Sequence, residues 1–132
     1  MLPKLNLQLL EGSYNVTLLP ASSPLPDWIK GPGFKNVSFC EDELSIVCPS
    51  ERVPPDVKSD EGWSAIKLTS SFDFDETGVV LSVVEPLSSN KLGVFVVSTF
   101  HRDYLLVKQR DLSMAKALLE SAGHRFVEPP VS

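Results

Sequence analysis

The segment Gly93-Val94-Phe95-Val96-Val97-Ser98-Thr99-Phe100-His101-Arg102-Asp103-Tyr104-Leu105-Leu106-Val107 sets two apolar runs on either side of a short polar knot. Val94 to Val97 is an unbroken β-branched and aromatic block, the pattern of a strand covered on both faces. Tyr104 to Val107 repeats it. The gap between them is too short for a helix, so the pair reads as a hairpin. Its tip gathers an acid, a base and two hydroxyls on a stiff support, which makes it the first place to expect a binding site.

Working outward, Thr77 to Leu87 is the ambiguous stretch. Its valines alone allow a strand, but Val79, Val80, Val83, Val84 and Leu87 form one stripe of a helix. Asp75, Glu76 and Thr77 supply capping groups and negative charge at its start, so helix is the reading taken. From Asp111 the pattern is plainer. Leu112, Ala115, Leu118, Leu119 and Ala122 share a face, Asp111 stands at the cap and Gly123 at the stop. The order becomes strand 63–69, helix 77–87, strand 93–100, strand 104–108, helix 112–122, strand 124–128, a ferredoxin-like βαββαβ unit.

The first half reads as strands and turns. Leu5 to Leu9 alternates, Glu11-Gly12 turns the chain, and Tyr14 to Leu19 makes a second strand. A proline-serine stretch leads to one helical turn at Asp27–Lys30, and Phe34 to Cys48 forms a hairpin. With a short turn near Ser50–Val53, this half is a degenerate copy of the second with shortened helices. The expected fold class is therefore α+β: two ferredoxin-like modules in tandem, antiparallel sheets with helices on one face. The expected division is 1–58 and 59–132, packed as one body.

Composition excludes several classes of function. The 132 residues are 42% hydrophobic and 22% charged, the balance of a folded globular chain. Net charge is −5 with no Lys/Arg run, which argues against nucleic acid. No apolar run approaches the ~20 residues of a membrane span, and the start lacks the features of a signal peptide, so no membrane partner and a cytoplasmic location are expected. Cys40 and Cys48 lie on one hairpin. A turn centred on Asp42 sets Cys48 opposite Asn36, too far from Cys40 for a bridge, so two buried free thiols are expected. Ser98, His101 and Asp103 do not make a triad on a hairpin, and two histidines cannot build a multi-histidine metal site. No enzyme activity, metal or cofactor is expected.

The order of motifs also carries a resemblance. Phe95-Val96-Val97-Ser98-Thr99-Phe100 with Asp103-Tyr104-Leu105-Leu106-Val107 resembles a signature of the small tandem ACT-domain proteins, relatives of the CASTOR arginine sensors. The likeness runs through Glu43 to Pro49, Glu61-Gly62-Trp63, Phe74 to Val80, Glu85-Pro86-Leu87, Asp111-Leu112 and Gly123-His124. It implies tandem ACT modules and a non-catalytic sensor of an amino acid. On that resemblance Gly93 and Val94 would hold the ligand's α-carboxylate. Asp103 and Glu76, with Asp75 nearby, would face its side chain beside Thr99 and Phe100. Gly78 would lie in the loop that covers it. Asp73 departs from the pattern, standing where the family has glycine. Acids converging on one pocket favour a cationic amino acid. A chain half the sensors' length is expected to form a two-fold homodimer with the ligand at a module or dimer interface, and to signal to a protein partner. The alternative is a protein-interaction module with a vestigial pocket.

Overall fold

The described residues form the strands β1 (Asn6–Leu9), β2 (Tyr14–Leu19), β3 (Asn36–Phe39), β4 (Leu44–Pro49), β5 (Lys58–Leu68), β6 (Phe95–Ser98), β7 (Asp103–Lys108) and β8 (Arg125–Phe126). The helices α1 (Val79–Ser88) and α2 (Leu112–Ser121) join them. The computed structural model describes residues 2–70 and 77–128. By contacts the chain divides into Gly12–Trp63 and a second unit of Met1–Glu11 with Ser64–Ser132. The sequence division had grouped residues 1–58. The first strand stands with the C-terminal unit because it pairs antiparallel with β5, Leu7 opposite Leu68, and parallel with β8, Asn6 opposite Arg125.

In that unit β5, α1, β6, β7, α2 and β8 follow the expected βαββαβ order, and the fold is ferredoxin-like. β7 pairs with β5 and β6, and β1 is inserted between β5 and β8. β1 runs antiparallel to β5 and parallel to β8. Both helices pack on one face of the sheet. Leu5, Leu7, Ile66, Leu68, Leu105 and Val107 from the strands meet Val79, Val83 and Leu87 of α1 and Ala115 and Leu119 of α2. Of the stripe read from the sequence, Val79, Val83 and Leu87 are buried, joined by Ser82 and Pro86, while Val80 and Val84 are half-buried; β7 is buried at Leu105, Leu106 and Val107 alike. Gly78 is the N-cap of α1 at φ 81°, a left-handed conformation that suits glycine. Asp111 precedes α2 but makes no side-chain cap bond.

Pro86 lies inside α1 and has no N–H to give the carbonyl of Ser82, one turn back. His124 supplies the missing donor. Its Nε2 donates to the Ser82 carbonyl at 2.7 Å, and its Nδ1 accepts the Leu5 N–H at 3.0 Å. The ring is 4% exposed. One side chain thus ties α1, the start of β8 and the start of β1 together, each group buried and paired.

The other unit repeats the plan with its helices reduced to 3-10 turns. β2, a turn at Asp27–Ile29, β3, β4, a turn at Ser50–Arg52 and the start of β5 give strand order β3-β4-β2-β5. Its core is Ile29, Leu44, Ile46 and Cys48. The guanidinium of Arg52 donates to the carbonyls of Ile29 and Pro32, holding the Gly31–Gly33 loop against the second turn. β5 begins at Lys58, earlier than the alternation at Trp63 suggested, because Lys58 to Asp60 pair with β2 through their backbone. The β3–β4 register is one residue from the expectation. Asn36 faces Val47, and the turn closes with the Cys40 N–H on the Glu43 carbonyl. Both cysteines are free, but only Cys48 is buried; Cys40 is exposed. Burial pushes the Cys48 thiol above its ordinary range, opposed by the nearby Arg52 charge.

His124→Ala leaves the Leu5 N–H and the Ser82 carbonyl buried without partners, a loss of about 2–5 kcal/mol in urea unfolding. Pro86→Ala gives Ser82 a backbone donor again and should reduce that loss by about 1 kcal/mol in the double variant. Strictly additive effects would contradict the coupling of the two residues.

Candidate functional site

The β6–β7 hairpin is closed by a two-residue loop. Ser98 pairs with Asp103, the Thr99 N–H donates to the Arg102 carbonyl at 2.9 Å, and the Thr99 hydroxyl reaches the same oxygen at 2.8 Å. Phe100 and His101 occupy the loop with their rings edge-on at 5.0 Å, and Phe100 is 71% exposed. Arg102 turns inward, and its guanidinium donates to the Thr69 carbonyl at 2.8 Å, pinning the tip to the end of β5. Asp103 is half-buried and accepts a short hydrogen bond from the Ser98 hydroxyl. Sequence reasoning gave no role to Ser98 or Arg102, since their partnerships depend on strand register and on Thr69, 33 residues away.

Topology brings Gly78 to this same end. β5 finishes at Leu68 and α1 starts at Val79, then runs back along the hairpin. A Cβ on Gly78 would lie 3.3 Å from Leu2 and 3.4 Å from Pro3, so the N-terminal segment covers this glycine. Asp75 and Glu76 lie outside the described residues. Gly78, Thr99, Phe100, Arg102 and Asp103 therefore form one polar and aromatic end of the unit.

Gly93 and Val94 lie at the other end. They follow a turn in which Asn90 Nδ2 donates to the Pro86 carbonyl at 2.7 Å and Lys91 takes φ 66°. Leu92 is buried and anchors the turn, and Val94 packs against the core. Gly93 is exposed, and a Cβ there would meet nothing within 4 Å. Neither steric crowding nor a positive φ within the chain requires glycine at 93. Ser98 lies five residues further along the chain, about 17 Å at ~3.3 Å per residue of extended backbone. One free amino acid cannot reach both ends of the hairpin in a single copy. Among the described residues no three His, Cys, Asp or Glu side chains gather as a metal site, and no helix is long and apolar enough to cross a membrane.

Comparison with known proteins agrees with this architecture. Residues 58–121 match the family model for the ACT domain, and residues 12–56 match a model for an N-terminal domain. A crystal structure of an Agobacterium tumefaciens protein is 48% identical, with TM-score 0.91, covering 98% of this chain and 96% of that one. The human cytosolic arginine sensor for mTORC1 subunit 1 is 29% identical over 76% of this chain. The match takes in 32% of the sensor, so this chain spans about a third of its length. An aspartate kinase from Clostridium acetobutylicum, an allosteric enzyme, shares the fold at TM-score 0.63 and 10% identity, covering 85% of this chain and 33% of that one.

The two glycines of the candidate site separate by experiment. Gly78→Ala forces a side chain into a left-handed residue and should cost about 1–2 kcal/mol. Gly93→Ala should change stability by less than about 0.5 kcal/mol, and any ligand response of the protein should be lost. Unfolding curves for both variants, with thermal unfolding of wild type and Gly93→Ala against the twenty amino acids, check this. A large stability loss at Gly93 would show that the glycine serves the fold alone.

Proposed function

The chain belongs to the ACT-domain family, and from that premise we propose that it is a non-catalytic regulatory protein that binds an amino acid in the cytoplasm. The observation that carries the reading is Gly93, a glycine for which the chain's own packing and backbone give no cause. Close approach of a ligand's carboxylate to the backbone N–H groups at the start of β6 supplies one. The arginine sensor's similarity and the ACT match over residues 58–121 support the same class of ligand.

A cationic amino acid fits best. Asp103 is half-buried at the hairpin tip, and Asp75 and Glu76 precede α1 in sequence. A carboxylate so sited attracts a guanidinium or ammonium group more strongly than in open water. Because the Gly93 and Asp103 ends are too far apart for one ligand, a bound amino acid that uses both joins two copies of the chain. Occupancy then changes the geometry of the pair, which a protein partner reads. One observation favours a second reading: the Ser98 hydroxyl already engages Asp103, as expected if the pocket is vestigial and the module serves protein contacts alone.

Thermal unfolding against each of the twenty amino acids separates the two. A single site at 100 times its Kd adds about 2.7 kcal/mol, a rise on the order of 10 °C for a chain of this size. The proposal expects a rise with arginine or lysine, abolished in Asp103→Ala. A rise with glutamate as large as with arginine would overturn the cationic preference. No rise with any amino acid would favour the interaction module.

A further inference from the structure

β3 ends the strand order of the N-terminal unit, paired with β4 alone among the described residues. Val37 faces Ile46 and Phe39 faces Leu44, so both lie on the core side of the sheet. Yet Phe39 is 67% exposed while Leu44 beside it is fully buried. The physical cause is the loss of the helices. With only 3-10 turns at Asp27–Ile29 and Ser50–Arg52 to cover the sheet, the apolar layer ends before its last strand does. An exposed aromatic on an open edge invites a further strand.

The sequence of that edge fits itself. Lys35 lies just before the strand, and Glu41, Asp42 and Glu43 lie just after it. A second copy running antiparallel about Ser38 sets Ser38 opposite Ser38, Val37 opposite Phe39 and Asn36 opposite Cys40. Each basic end then meets the other copy's acidic end. Apolar side chains pair on the core face, and the cross-strand charges have opposite sign. The Lys35 ammonium is exposed and donates to the Gly31 carbonyl, which keeps its charge at that end of the edge. β6, also paired with one neighbour alone among the described residues, lacks this complementarity. A two-fold pairing there would bring Lys91, before the strand, towards His101 and Arg102 at its far end.

We infer that β3 joins a second copy of this chain edge to edge, making a two-fold dimer across the N-terminal unit. This names a surface for the self-association that the proposed function invokes, and it needs no ligand. The contact is isologous, so each residue of the register acts twice.

Sedimentation of the full chain at micromolar concentration should give twice its 14.5 kDa mass, with or without amino acids. Phe39→Asp should raise the dimer dissociation constant at least tenfold while the far-UV circular dichroism of the folded chain stays unchanged. Lys35→Glu alone should weaken the dimer, and Lys35→Glu with Glu41→Lys should restore it. In a Cys40→Ser background, Ser38→Cys should cross-link copies under mild oxidation, since directly opposed residues fall within disulfide reach. A monomer at all concentrations would overturn the inference, as would a dimer untouched by Phe39→Asp or by the Lys35→Glu change. Repeating the amino-acid screen on Phe39→Asp keeps the two proposals apart: a thermal shift that survives in a monomer leaves amino-acid binding standing.

Discussion

A proline in the last turn of α1 leaves a carbonyl that a residue nearly forty positions later satisfies. Pro86 leaves the Ser82 carbonyl without its helical donor, and His124 provides one while accepting the Leu5 N–H on its other nitrogen. That arrangement places the proton of the ring on Nε2. It also fixes where the N-terminal strand can go. Leu5 and Leu7 enter the core only when β1 lies between β5 and β8, and His124 marks the start of that slot. The Arg125 N–H on Leu5 and the Val127 N–H on Leu7 extend the seam. The ferredoxin-like unit thus carries one strand more than its repeat requires.

The local parts of this fold are legible in the sequence because they rest on period and punctuation. Val94 to Val107 reads as a hairpin, and the stripe from Val79 to Leu87 outweighs the strand preference of its valines because burial on one face decides it. The shortened helices of the first half are legible too, since prolines and glycines interrupt every candidate longer than a turn. What escapes are pairings set by distant partners. Leu5 to Leu9 reads correctly as a strand, but nothing local says that it leaves Tyr14–Leu19 to join Leu68 and Arg125. Lys58 to Glu61 hides the start of β5 because its polar side chains show no alternation while its backbone pairs with β2. The one-residue error at Asn36 arose from placing the turn centre on Asp42 rather than between Glu41 and Asp42.

The candidate site shows the same division. Chemistry-bearing residues at the hairpin tip are evident from sequence, whereas their separation from Gly93 is a property of strand length. Gly93 stands before β6, and Asp103 opens β7 at the tip of the same hairpin, so the proposed ligand would bind across copies rather than within one. A ligand held that way would couple its occupancy to the arrangement of two copies, which is what regulation by population shift requires. The first repeat, its helices reduced to 3-10 turns, leaves an exposed sheet edge.

Amide chemical-shift mapping during titration with arginine or lysine tests amino-acid binding most directly. The account predicts saturable changes at Gly93 and Val94 and at Thr99 to Asp103, with the amides of Tyr14 to Leu19 unmoved. Changes confined to residues 12–63, or none at millimolar amino acid, would contradict it.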